Sequence, residues 1–157
     1  MSSRPLEETL CEILERDGAT ADALDRFVRS VAEDFAATTC TLHVLEDGLL
    51  RLRAQMGLPP QVAHVVATVP IGKGMAGICA ERREPVTVCN LQSDDSGVVR
   101  PGARETKVHG GLVIPLLAGD RLVGTLGVGK PDDHDYSPDE VSRLARYGTL
   151  LVRALSS

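Results

Sequence analysis

Val69-Pro-Ile-Gly-Lys-Gly-Met-Ala-Gly-Ile-Cys-Ala-Glu-Arg-Arg-Glu-Pro-Val-Thr-Val-Cys-Asn-Leu91 is the stretch whose reading decides the fold. It reads as a strand end, a glycine turn, a short helix, a charged turn and a short strand. Within it, Gly72-x-Gly74-x-x-Gly77 has dinucleotide-fingerprint spacing, with Asp94 about 20 residues beyond. Such glycines let a pyrophosphate approach a helix N-terminus. The context opposes that use. Pro70 sits where a central parallel strand should continue, the flanking chain reads as hairpins, and too few elements remain for a doubly wound sheet. The glycines are therefore read as a tight turn that folds a short helix over a sheet.

Upstream, Leu6, Leu10, Ile13 and Leu14 recur at helical spacing, which predicts a helix over residues 4–15. Asp17-Gly18 stops it. Thr20 is a candidate N-cap for a second helix, with Asp22 in its first turn and Leu24, Phe27, Val28, Val31, Ala32 and Phe35 on one face. The period then becomes two. Cys40, Leu42 and Val44 alternate with Thr41, His43 and Leu45. After the Glu46-Asp47-Gly48 turn, Leu50, Leu52, Ala54 and Met56 alternate with Arg51, Arg53 and Gln55. This predicts an antiparallel hairpin with one solvated face. A connector with Gly57 and Pro59-Pro60 leads to a third strand over 65–69.

Downstream, residues 92–109 are polar and aperiodic, as a binding loop or lid would be. Residues 112–117 and 121–128 form a second hairpin about Ala118-Gly119-Asp120. Pro115 implies a missing ladder partner there, and Gly124, Gly127 and Gly129 imply close approach by other chain. Ser137-Pro138-Asp139-Glu140 is a capping box with Tyr136 and Val141 at staple positions. Val141, Leu144, Ala145, Gly148, Leu151, Val152 and Leu155 make the apolar stripe of the final helix. Gly148 there implies a tight helix contact.

The element order is that of an α+β fold, with an antiparallel sheet and the N- and C-terminal helices on one face. The short helix and the polar loop cover a pocket on the other. The 157 residues fit one domain, with residues 1–18 as an N-terminal helix and 19–157 as the core. A net charge of −5 and 3% aromatic content argue against nucleic acid as a partner. The longest strongly apolar run, 112–118, is too short to span a bilayer. With no leader peptide and no Cys-x-x-Cys pair, reduced thiols, a cytoplasmic location and no structural metal are expected. No cofactor is indicated.

These residues resemble a GAF domain. The likeness is carried by 69–80 with 84–91, by 112–117 with 121–128, and by Tyr136-Ser-Pro-Asp-Glu-Val opening the last helix. Their order and spacing also match, over roughly residues 21–155. The resemblance implies a five- or six-stranded antiparallel sheet, a ligand pocket on the face away from the terminal helices, and a homodimer through those helices. It implies architecture rather than ligand, since members bind cyclic nucleotides, tetrapyrroles, haem, amino acids or oxoanions, and some bind nothing known.

Candidate pocket residues are Met75, Ile78 and Cys79 on the short helix, Cys89 on the following strand, and Asp94, Arg104 and His109 in and after the polar loop. Cys79 and Cys89 admit two readings: a redox pair, or small buried hydrophobes. Arg100, Arg104, Lys107 and His109 could neutralise an anion or form a solvated loop face. The histidines at 43, 64, 109 and 134 have no metal spacing and read as surface or hydrogen-bonded groups.

One enzyme group in this family, free methionine-(R)-sulfoxide reductase, uses cysteines around the same glycine turn. The resemblance places two of them at Val66 and Ala76 of this chain, and a third near Arg100 where none occurs. Without those thiols the nucleophile and its resolving partner are missing. The cyclic-nucleotide members carry an Asn-Lys pair and Phe-x-x-x-Asp-Glu. This chain has Gly129-Lys130 and a shorter Tyr136-Ser-Pro-Asp139-Glu140, whose acidic pair is already used in the cap. A bilin-type Cys-His pair is absent. The expectation is a non-catalytic, small-molecule-sensing regulatory domain that signals through its helices to a separate protein. The alternatives are a thiol-redox or sulfoxide-reductase enzyme, and a structural dimerisation module without ligand.

Overall fold

The computed structural model describes residues 5–92 and 108–156. Helices α1 (Leu6–Asp17) and α2 (Ala21–Asp34) come first. Gly18 ends α1 at φ +65°, its N–H bonded to the Leu14 carbonyl at 2.8 Å. The Thr20 side chain caps α2 by accepting from the Ala23 N–H. Leu24, Phe27, Val28 and Val31 of α2 are fully buried, and each such side chain contributes roughly 1.5–3 kcal/mol.

Six strands follow: β1 (Thr39–Glu46), β2 (Leu49–Met56), β3 (Thr68–Pro70), β4 (Val86–Val88), β5 (Gly110–Ala118) and β6 (Arg121–Lys130). They form one antiparallel sheet in the order β3-β2-β1-β6-β5-β4. Pro115 pairs with Thr125 on β6, while β4 reaches only Gly111–Val113 on the other side. The missing proline N–H therefore falls where no β4 partner exists.

Helix α5 (Pro138–Ser156) is opened by the capping box: Ser137 N–H donates to Glu140 Oε1 and Glu140 N–H to Ser137 Oγ. A Cβ on Gly148 would stand 2.7 Å from Ile114 Cδ1, so glycine permits close contact of α5 with β5. The buried stripe of α5 differs from expectation at two positions. Ala145 is exposed and Tyr147 is buried. The phenol enters the core because its hydroxyl finds the Asp34 carboxylate at 2.8 Å.

Two departures in the first half of the sheet shape the site. Residues 60–65 form a helix, α3 (Pro60–Val65), and the third strand begins only at Thr68. Pro60 stands in the first turn of α3, where its fixed φ suits a helix start and its missing N–H costs nothing. The second departure is a register shift at the Leu42–His43 step, where Leu42 pairs with Ala54 and His43 with Leu52, leaving Arg53 as the bulge. One extra residue inverts the alternation of β2. Ala54 and Met56 pack on the helical core, whereas Leu50 joins Val69, Ala80 and Leu122 on the other face.

The main core lies between the sheet and α1, α2 and α5, with Cys40, Leu42, Leu112, Ile114, Leu116 and Leu126 facing the helices. The opposite face of β1 carries Thr39, Thr41 and His43. It is not simply solvated, because α3 and α4 (Gly74–Arg82) lie across that side of the sheet.

Candidate functional site

Between the sheet and those short helices lies a cavity of about 220 Å³, roughly seven water volumes. Thr39, Thr41 and His43 of β1, Gly127 and Gly129 of β6, and Gly111 and Val113 of β5 line it on the sheet side. Val62 and Val65 of α3, Val66, Val69, and Lys73 to Ala76 line it on the helix side, with Leu58, Leu91 and Val108 completing the wall. Apolar side chains and backbone dominate. The glycines on β5 and β6 put no side chain into the space above them, although a Cβ on Gly111 would stand 3.1 Å from the Met75 sulfur.

The glycine turn builds the wall that α4 presents. Gly72 and Gly74 take φ of +89° and +67°. A Cβ on Gly77 would lie 2.4 Å from the Pro70 carbonyl oxygen, and the Gly72 N–H bonds to the Gly77 carbonyl at 2.8 Å. The turn closes on itself, and its backbone groups serve packing.

The sequence candidates separate in space. Met75 lines the cavity. Ile78 packs with Cys79 and Val86 against Val113, and neither Ile78 nor Cys79 belongs to the lining. Cys79 is fully buried in that cluster, with its Sγ donating to the Val113 carbonyl at 3.6 Å and its thiol pushed up to about 12 by burial. Cys89 follows the end of β4 and is exposed. Desolvation first, then the hydrogen bond to and the charge of Asp135, raise its thiol. Neither setting lowers a thiol pKa as a reactive thiolate requires. His109 pairs through Nδ1 with Asp133 at 2.8 Å on the polar surface. Asp94 and Arg104 lie outside the described residues, as does the expected covering role of their loop.

The residue that sequence reasoning passed over is His43. It is 3% exposed and lines the cavity. Its Nε2 lies 2.9 Å from the Val66 carbonyl. A carbonyl only accepts, so Nε2 carries the proton and the neutral ring leaves Nδ1 as an acceptor. Among the described residues, that buried Nδ1 has no hydrogen-bond partner. The usable signal was its parity with Thr41 on the face opposite Cys40 and Leu42. That parity identifies a face but not what covers it.

Burial holds the His43 imidazole below its ordinary value of 6.5, outweighing the Val66 hydrogen bond. Below 6.5 the unfolded chain therefore binds more proton at this site than the folded one. The stability is complete above about pH 6.5 and falls as pH drops through the lowered folded value, by up to about 1.4 kcal/mol per pH unit. Urea midpoints are expected to fall between pH 7 and pH 5, and His43→Phe should flatten that decline. An unchanged slope in the variant would assign acid lability to other groups.

A six-stranded antiparallel sheet, helices on one face and a small apolar cavity under short helices on the other define a ligand-binding type of α+β domain. The profile of the GAF domain matches residues 18–156, and the chain belongs to the GAF domain family. Solved structures agree in fold. The GAF domain of a phosphoenolpyruvate-protein phosphotransferase from Coxiella burnetii is 23% identical, with a TM-score of 0.78 over 96% of this chain and 92% of that one. The corresponding Acinetobacter domain is 21% identical, with a TM-score of 0.77 over 99% and 95%. Free methionine-R-sulfoxide reductase from Neisseria meningitidis, solved with its substrate, is 15% identical, with a TM-score of 0.74 over 99% and 93%. No curated protein sequence matches the chain. Among the described residues, no helix is long and apolar enough to cross a membrane, and no group of three or more His, Cys, Asp or Glu could hold a metal ion.

Proposed function

We propose that this protein is a small-molecule-sensing, non-catalytic GAF domain of the cytoplasm, whose ligand occupies the cavity between β1, β6, α3 and α4. The carrying observation is the cavity itself: about 220 Å³, largely apolar, and walled by the glycine turn. That volume lies below the usual range for drug-sized ligands, which suits a small metabolite. Native mass spectrometry of freshly purified protein should show the 16.7 kDa chain with a small adduct that denaturation releases. An adduct retained by Ala76→Phe would place the ligand elsewhere and overturn this reading.

The enzyme reading is the weaker one. Val66 and Ala76, which stand where the reductase resemblance places two cysteines, both line the cavity as apolar groups. Cys40 and Cys79 are buried, with their thiols raised. A thioredoxin-coupled assay with methionine sulfoxide should therefore give no turnover. We further propose that the terminal helices pair in a homodimer and carry occupancy to a separate signalling protein. Leu6, Ile13, Val152 and Leu155 are only partly buried against the core and leave apolar surface for a second copy. Light scattering at the mass of one chain would remove the dimer.

A further inference from the structure

We infer that the cavity takes a short, apolar-tailed carboxylate, whose head group is held at the start of α4 by Lys73, the free amides of the first turn and the Thr39 hydroxyl. The inference rests on the proposed ligand cavity and adds the chemistry of its occupant.

The charge of the wall is one-sided. Among the described residues of the lining, Lys73 is the one charged side chain, and no carboxylate joins it. Lys73 is exposed, so it stands at the cavity rim, where its flexible stem lets the ammonium swing over the opening. The Glu81 carboxylate lies against Gly72, outside the lining. Lys73 is also the N-cap residue of α4, and Gly74, Met75 and Ala76 of the first turn line the cavity with it. Hydrogen bonds of the glycine turn run from the Gly72 N–H to the Gly77 carbonyl, from Lys73 to Pro70 and from Gly77 to Lys73. The N–H groups of Gly74, Met75 and Ala76 have no acceptor among the described residues, which leaves partial positive charge beside the ammonium.

The sheet supplies an independent observation. Thr39 is 8% exposed and lines the cavity. Its Oγ1 leans over Gly129, where a Cβ would stand 2.5 Å from it. Among the described residues this hydroxyl has no hydrogen-bond partner, yet it is not sealed in as His43 Nδ1 is. Gly129 pairs with Gly111, and Met75 reaches down onto Gly111, so the hydroxyl and the start of α4 share one end of the cavity. Ammonium, amides and hydroxyl can all donate to a carboxylate, and bonds to a charged acceptor are about twice as strong as bonds to a neutral one. Elsewhere Val62, Val65, Val66 and Val69 give the tail an apolar bed. The cavity volume suits a ligand of about eight non-hydrogen atoms.

Hexanoate and hexanamide test this, since they share size and shape and only the first is ionised near neutral pH. Titrations followed through the amide resonances of ¹⁵N-labelled protein measure both. Hexanoate is expected to bind at least about fivefold more tightly and to shift the Gly74, Met75 and Ala76 amides. Lys73→Met, at an exposed position that keeps the fold, and the near-isosteric Thr39→Val should each narrow the preference, by about threefold. Equal affinities, no shift at the α4 amides, or a preference that either variant leaves whole overturns the inference and leaves the cavity reading intact. Binding of neither probe also overturns the inference. The cavity reading then stands or falls separately, on whether Ala76→Phe loses the small adduct.

Discussion

Gly124→Ala is expected to destabilise the protein by about 3 kcal/mol or more, lowering Tm by roughly 6–12 °C for a domain of this size. Strand β6 lies between β1 and β5 at the centre of the sheet. Gly124 pairs with Val44 on one side and Leu116 on the other. A Cβ there would stand 2.0 Å from the His43 carbonyl oxygen and 3.1 Å from the Val44 Cα. Both obstacles are main chain, so no rotamer change relieves them. The strands must separate, and the β1–β6 ladder must lengthen where the core is most buried. Against a total stability of about 5–15 kcal/mol this is a large fraction. A thermal melt within 2 °C of wild type would show that the sheet yields there without cost. Gly119→Ala is a suitable contrast. At φ +63°, with no heavy atom within 4 Å of a Cβ, its cost is backbone strain without steric overlap.

Ala76→Phe should abolish occupancy of the cavity while leaving the fold in place. Ala76 stands on the first turns of α4, partly buried, and belongs to the lining. A phenyl ring added there enters space that is already apolar, so its burial offsets part of the cost of crowding. The binding term has no such compensation, because the ring and the ligand exclude each other. Ligand affinity is expected to fall by at least about a hundredfold, equivalent to about 2.8 kcal/mol, with Tm within a few degrees of wild type. Ile78→Ala provides the control. It is on the same helix but outside the lining and should cost stability without removing binding. An adduct retained by Ala76→Phe would place the ligand outside this cavity.

Much of the fold is legible because its determinants are local. The capping box at Ser137–Glu140, the stop at Gly18 and the cap at Thr20 each act within a few residues, and each forms as its sequence predicts. The hairpins are marked by period-two alternation and turn residues. Gly148 could be read as a close contact because a helix interior has no other use for it. Of the candidate site, Met75 faces the cavity because the glycine turn aims the start of α4 back over the sheet.

What escaped the sequence depended on partners distant along the chain. The bulge at Arg53 follows from β2 serving both faces of the sheet, which its own alternation cannot show. Helix α3 was hidden by its valines, which suit a strand as well as a short helix packed over a hydrophobic cavity. Ala145 and Tyr147 exchanged places because Asp34 on α2 supplies the phenol with a partner.

The stretch 69–91 determined on its own that a short helix must fold back over a sheet. Glycine suits the positive φ at positions 72 and 74, and at position 77 it alone leaves room for the Pro70 carbonyl. The tertiary structure alone decided what that helix encloses. Cys79 turns into a buried cluster, Cys89 falls outside, and His43 is brought under α3 and α4 with one ring nitrogen unpaired among the described residues. The reason is physical: spacing assigns a side chain to a face, but burial and hydrogen-bond satisfaction depend on what packs against that face.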